Sequence, residues 1–170
     1  MKNLLSDKIV NIAPSGIRKF FDIVSEMPEA ISLGVGEPDF DTPWKIREEG
    51  IYSLERGRTF YTSNSGLVEL RQAICDYSRR KYNLDYNEKE CLVTIGGSEA
   101  IDIAFRAILN PGDEVIVVQP CFVSYAPCVI LAGGTPVYLN LSVENEFKLT
   151  VEELEMVVTD KTKAIIMAYP

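Results

Sequence analysis

The sequence predicts an α/β protein, a three-layer α/β/α arrangement with a mostly parallel sheet preceded by an N-terminal arm, and three observations predict it. The strand candidates are short and apolar along their whole length, as in Val115-Ile116-Val117-Val118, which is the pattern of strands covered on both faces. Segments with apolar residues at helical spacing separate them. Glycine, proline and capping residues punctuate the joints, so strands and helices alternate in the way a layered α/β domain requires.

Ser15 can cap a short helix in which Ile17, Phe20, Phe21 and Val24 share a face, and a polar stretch with Pro28 ends it. Ile31-Ser32-Leu33 then leads into Gly34-Val35-Gly36-Glu37-Pro38-Asp39-Phe40, where two glycines and a proline forbid regular structure. Thr42-Pro43 starts a helix that fades at Gly57. Ser65 can cap the next, with Leu67, Leu70, Ile74 and Tyr77 as its inward face. Leu92-Val93-Thr94-Ile95 reads as a strand, Gly96-Gly97-Ser98 as a turn, and Ile101, Ala104, Phe105 and Ile108 as a helical stripe stopped by Asn110-Pro111-Gly112. Further strands are expected at 115–118, at 135–139 after Gly133-Gly134, and at 164–168. Thr150 and Glu153 form a capping box for the helix before the last strand.

Composition removes several function classes. With 46% hydrophobic and 25% charged residues in 170, the chain can build a packed core, which argues against disorder. The net charge of −8 argues against nucleic acid and anionic membranes as partners. Its longest cationic run, Arg79-Arg80-Lys81, reads as a solvated last helical turn. Histidine is absent, which excludes imidazole-based zinc sites and His-dependent triads, so no metal site is expected. Cys75, Cys91, Cys121 and Cys128 show no C-x-x-C spacing and read as free thiols in a reducing compartment. The first residues carry too short an apolar run for a signal peptide, and no later stretch approaches a membrane span. A cytoplasmic location is the resulting expectation.

Two segments could carry chemistry. Glycines between a strand and a helix let backbone N–H groups face an anion, and the helix dipole adds to that attraction. Gly96-Gly97-Ser98-Glu99 has this form, although the Ser98 hydroxyl could equally cap the helix, and a plain capping turn is the competing reading. Nucleotide motifs fail on detail: G-x-x-x-x-G-K-[ST] is absent, and Gly34-x-Gly36 is followed by Glu37-Pro38 where a helix would have to open. Pro120-Cys121-Phe122-Val123-Ser124-Tyr125 follows the second strand, where either aromatic could stack on a planar ring or pack in the core.

Five features then agree in order and spacing: Gly34-Val35-Gly36-Glu37-Pro38-Asp39-Phe40-Asp41-Thr42-Pro43; Phe60-Tyr61 ahead of Gly66-Leu67-Val68-Glu69-Leu70-Arg71; Gly96-Gly97-Ser98-Glu99-Ala100; Asn110-Pro111-Gly112-Asp113-Glu114-Val115; and Pro120-x-Phe122-x-x-Tyr125. Together they resemble the class I/II aminotransferases of fold type I, which depend on pyridoxal 5'-phosphate, and the resemblance covers essentially the whole chain. It implies an incomplete fold type I large domain. Residues 1–42 would be the N-terminal arm and a small-domain segment, and residues 43–170 the first part of the cofactor-binding large domain.

The resemblance also implies roles. Gly97, Ser98 and Glu99 would lie at the phosphate-binding turn, acting mainly through backbone N–H groups and the serine hydroxyl. Phe122 would stack on the pyridine ring, Gly36 would approach the substrate carboxylate through its backbone, and Tyr61 would reach across a homodimer interface to the partner's cofactor phosphate. The activity implied for an intact protein is transfer of an amino group between an L-amino acid and a 2-oxo acid. The lysine that anchors the cofactor as a Schiff base, the asparagine loop expected after Tyr169-Pro170, the aspartate for the ring nitrogen and the substrate-binding arginine would lie beyond the chain end, so no catalytic residue is assigned and the chain alone is expected to be inactive. Lys148, Lys161 and Lys163 lie in other contexts and are not promoted to that role. The alternatives are a related fold type I lyase or synthase, a regulator carrying an aminotransferase-like domain, and a noncatalytic binding or dimerisation fragment.

Overall fold

Val115, Ile116 and Val117 are wholly buried and Val118 is 4% exposed. A strand with no open face must be central in its sheet and covered on both sides. In the computed structural model, which describes residues 4–17, 22–24, 26, 27, 29, 31, 36 and 38–169, that strand is β1 (Glu114–Gln119). It lies between β2 (Thr135–Asn140) and β3 (Thr162–Ile166), in the order β2-β1-β3. Both pairings are parallel, with Val117 opposite Tyr138 on one side and Ile166 on the other.

Parallel neighbours need crossovers, and helices supply them. The helices described over their whole length are α1 (Asp7–Val10), α2 (Trp44–Glu55), α3 (Val68–Tyr82), α4 (Gly96–Ile108), α5 (Tyr125–Ala132) and α6 (Val151–Glu155). On one face of the sheet, Val115 and Val117 pack with Phe105 and Leu109 from α4 and its end and with Cys128 and Val129 of α5. On the other face, Ile116, Val118 and Leu139 pack with Leu149, Leu154 and Val157 around α6. The alternating sides of β1 therefore feed two different layers, which is the three-layer α/β/α arrangement the sequence predicts. The Thr150 capping box that starts α6 is formed, with the Glu153 N–H donating to Thr150 Oγ1 at 3.2 Å and the Thr150 N–H to Glu153 Oε2 at 3.0 Å.

The chain forms two compact units, one of Met1–Ser15 with Thr94–Pro170 and one of Gly16–Val93. The first holds the sheet, with α1 packed on α5. The second holds α2, α3 and a 3-10 turn at Glu88–Glu90. Helix α2 ends at Glu55 before Gly57, whose φ is +65°, as the sequence predicts. All four cysteines are free; Cys75 and Cys128 are buried and the other two half-buried.

Several elements differ from the sequence reading. Leu92–Ile95 forms no strand and pairs with none of the three described ones, and the Val93 N–H instead donates to the Ser65 carbonyl at 3.1 Å. The glycines expected in a turn form the first residues of α4. Ser65 caps nothing: the N-cap of α3 is Leu67, with no side-chain bond. Leu67, Leu70, Ile74 and Tyr77 are exposed, and the covered face of α3 is Arg71, Cys75 and Ser78, onto which the chain folds back at 88–91. In α4 the buried stripe is Ile101, Phe105 and Leu109, one i+4 ridge, while Ala104 and Ile108 are exposed. Strand β3 begins two residues early because its ladder opens at Glu114 opposite Thr162 and ends with β1's Val117 opposite Ile166. Phe20 and Phe21 of the first predicted helix, together with Pro28, Ser32, Leu33, Gly34, Val35 and Glu37, lie outside the described residues.

Asp113 closes the turn that feeds β1. Its carboxylate accepts the Asn110 N–H at 2.7 Å and the Lys163 ammonium at 3.1 Å. The Asn110 amide first, and Lys163 with it, hold this carboxyl below the ordinary aspartate range. A depressed folded value stabilises the fold above the unfolded pKa of about 3.9 and loses that contribution as pH falls through the folded value. Asp113→Asn is therefore expected to unfold at lower urea than the natural chain near pH 7, with the gap closing below about pH 4. A gap independent of pH between 7 and 3 would assign the effect to packing.

Candidate functional site

Helix α4 has 13 residues and β1 has 6, so each is about 20 Å long at 1.5 Å per helical and 3.3 Å per extended residue. The helix lies on the sheet and passes through a short turn, Leu109–Asp113, into β1. It must therefore run antiparallel to the strand, with its N-terminus level with the strand's carboxyl end. Residues Gly96 to Glu99 and the segment after Gln119 are brought to the same end of the sheet, where open α/β sheets bind ligands.

At the helix end, Gly96 has φ +77°, a conformation that costs a residue with Cβ. Thr94 wraps this residue: the Gly96 N–H donates to the Thr94 carbonyl at 3.0 Å, and Thr94 Oγ1 donates to the Gly96 carbonyl at 2.9 Å. The first-turn amides of Gly97, Ser98 and Glu99 have no i−4 partner within the helix, as at every helix start. Of the two roles the sequence left open for Ser98, the structure does not show the capping one: the N-cap is Ile95 and no side chain caps the helix. Ser98 is exposed, and its hydroxyl has no hydrogen-bond partner among the described residues. A free hydroxyl beside unfilled amides at a positive helix end suits an anion.

Glu99 takes a different part. Its carboxylate turns back to accept the Ile95 N–H, so what it presents forward is its own amide. A carboxylate this near the site opposes a bound anion. Glu99→Gln keeps an acceptor for Ile95 and removes the charge, and phosphate is expected to bind roughly two- to five-fold tighter, the scale of one charge at a helix end. Titration with inorganic phosphate checks this; weaker binding would mean that the carboxylate's exact position shapes the turn.

At the strand end, the Gln119–Pro120 peptide is cis. Phe122 follows, 47% exposed, with its ring edge-on to Tyr125 at 5.9 Å and 76°. It lines a groove of about 390 Å³ with Gln119, Tyr138 and, from the arm, Asn11, Ile12 and Ala13. Neighbouring Cys121 is half-buried, and burial pushes its thiol pKa up, which suits packing and not nucleophilic attack. The arm residues and Tyr138 were not legible as site neighbours, because no local pattern ties residue 12 to residue 122.

Tyr61 and Gly36 belong to the other unit. Tyr61 is fully exposed in an open recess of about 500 Å³ with Arg58, Phe60, Thr62, Leu67 and Glu69. A Cβ at Gly36 would meet nothing within 4 Å, so no neighbour among the described residues demands glycine there. No cluster of three metal-ligating side chains occurs among the described residues, and no described helix is long and apolar enough to cross a membrane.

Comparison with known proteins gives a consistent result. YugH of Bacillus subtilis is 52% identical over the whole chain and 44% of its own length. The aspartate aminotransferase of Pyrococcus abyssi is 47% identical over 98% of the chain and 43% of its own. Among solved structures, the aspartate aminotransferase from Thermus thermophilus with maleate superposes with a TM-score of 0.89 at 36% identity, covering 98% of this chain and 44% of that one. The chain thus spans less than half the length of the relatives it matches. The family model described as Aminotransferase class I and II matches residues 28–170. With the α/β/α layering and a match over most of its length, the chain belongs to the class I and II aminotransferase family.

Proposed function

We propose that this chain supplies the phosphate-binding turn and the ring-stacking platform of a pyridoxal-phosphate-dependent aminotransferase, acting in the whole protein on an L-amino acid and a 2-oxo acid. One observation carries the reading: the unfilled amides and free hydroxyl at Gly97–Glu99 share one end of the sheet with the half-exposed ring of Phe122. An anion and an aromatic ring held a short way apart are what a phosphorylated pyridine offers. The residues therefore fit the cofactor that the family uses.

In this reading Gly97, Ser98 and Glu99 hold the phosphate through their amides, with Ser98 Oγ donating in addition, and Phe122 covers one face of the ring. Gly36 approaches the substrate carboxylate through its backbone. When bound, the cofactor supplies the electron sink that lets an amino acid lose its α-proton and pass on its nitrogen. The full exposure of Tyr61 beside Arg58 supports a role toward a second copy of the chain, hence a homodimer. By role, residues 1–42 are the arm and small-domain segment and residues 43–170 the first part of the large domain. The location we infer is cytoplasmic.

Phe122→Ala tests the platform. Loss of ring stacking is expected to weaken pyridoxal phosphate binding roughly three- to ten-fold and to leave inorganic phosphate binding unchanged. Equal loss for both ligands would mean that the substitution disturbs the turn and not the ring. Borohydride treatment of the chain with the cofactor is expected to fix it on no single lysine, and one lysine labelled selectively would place an anchor inside residues 1–170.

A further inference from the structure

We propose that Arg71 is a positioning residue that clamps the loop carrying Tyr61 onto the segment 88–93; the inference rests on the role given to Tyr61 above. Arg71 sits half-buried in the first turn of α3. Its Nε donates to the carbonyl of Gly66 at 3.2 Å, and a terminal guanidinium nitrogen donates to the carbonyl of Glu88. No carboxylate pairs with it among the described residues. One planar fork therefore joins two backbone segments, a task for which a lysine ammonium lacks the geometry.

Two further contacts close the same joint. The Val93 N–H donates to the Ser65 carbonyl at 3.1 Å. Gly66 has φ +93°, and a Cβ there would lie 2.7 Å from Val93 Cγ2, so only glycine lets the loop press this closely. At its start the loop is tied to α2 by the Arg58 N–H bond to the Ser53 carbonyl at 3.0 Å; its remaining hydrogen bonds are internal to it: Thr59 N–H to the Gly57 carbonyl, Thr62 Oγ1 to the Ser63 carbonyl, Ser65 N–H to Ser63 Oγ, and Gly66 N–H to the Ser63 carbonyl. Tyr61 has no packing of its own to fix it. Its placement depends on the two ends of the loop, and at the second of them Arg71 is the charged side chain that holds the chain in place.

The test is a double-substitution cycle on pyridoxal phosphate affinity in the natural gene product, with Arg71→Met and Tyr61→Phe. Each alone is expected to weaken binding about tenfold, the scale of one hydrogen bond to a charged group. If Arg71 acts through Tyr61, the pair together loses little more than either alone, whereas multiplicative losses of about a hundredfold would overturn the inference. Arg71→Lys is expected to behave like Arg71→Met, and full rescue by lysine would show that charge suffices and the fork is irrelevant. Amide exchange in the unliganded protein supplies a second readout: Val93 should exchange at least about tenfold faster in either variant, with Val115–Val118 unchanged. An unchanged Val93 rate would also overturn the clamp. Ser98→Ala separates the two levels. If it and Tyr61→Phe both leave affinity intact, the reading of the site fails and the inference with it; if both weaken binding while Arg71→Met does not, only the inference fails.

Discussion

Val117→Asp is expected to leave the sheet-bearing unit unfolded. Val117 has no exposed surface, pairs with Tyr138 and Ile166 on its two sides, and packs against Phe105, Leu109 and Val129. No lysine or arginine is among the residues packed in this cluster, so a carboxylate there would find no cation to pair with. Burial of an unpaired charge costs several kcal/mol even after relaxation. Protonation avoids the charge but still forfeits the roughly 1.5–3 kcal/mol that burying a valine contributes. Against a total stability of about 5–15 kcal/mol, either route removes most of the margin. Val117→Ala should remain folded but weakened, and Val143→Asp, at an exposed site, should change little. Urea unfolding followed by circular dichroism reads all three. A cooperative transition for Val117→Asp near the natural midpoint would contradict the central place given to β1.

Ser98→Asp should separate stability from binding. A carboxylate in the first turn of α4 complements the helix dipole and adds about 0.3–1 kcal/mol to stability. In the proposed site the same carboxylate would face the phosphate at close range. Two like unit charges about 4 Å apart near a protein surface repel by about 4 kcal/mol, so affinity for pyridoxal phosphate should fall by a factor on the order of 10² to 10³. Thermal midpoint and ligand titration in one buffer test the pair. Loss of both would show that Ser98 is structural, and unchanged affinity would remove it from the phosphate site.

The contrast between β1 and α3 shows what a sequence of this kind makes legible. The apolar run 115–118 was readable because a doubly covered strand needs no partner identified to declare itself, and the Thr150–Glu153 box because both of its bonds are local. Gly96 was read as part of a turn and instead opens α4, where its positive φ accounts for the glycine. The inward face of α3 was misread because Leu67, Leu70, Ile74 and Tyr77 fit a helical stripe, yet what covers the helix in this chain is the fold-back at 88–91, a non-local fact. Leu92–Ile95 has strand composition but no ladder partner, and composition alone cannot supply one. Helix α5 was missed because it is apolar almost throughout, with Pro127 in its first turn, and so lacks a contrasting polar face. The two segments proposed to hold the cofactor, Gly96–Glu99 and Pro120–Tyr125, were visible as motifs. That they meet at one end of the sheet follows from the antiparallel course of α4 and β1.

The proposed phosphate-and-ring site is tested most directly by an amide-resolved NMR titration of the 170-residue chain with pyridoxine 5'-phosphate, which has the ring and phosphate but no aldehyde to react with surface lysines, and with unphosphorylated pyridoxine as its pair. Saturable shifts are expected at the amides of Gly97, Ser98 and Glu99 with the phosphorylated ligand, reproduced by inorganic phosphate, together with ring-dependent shifts around Phe122. Equal shifts with pyridoxine, or phosphate-dependent shifts confined to residues away from Gly97–Glu99, would contradict the proposed site.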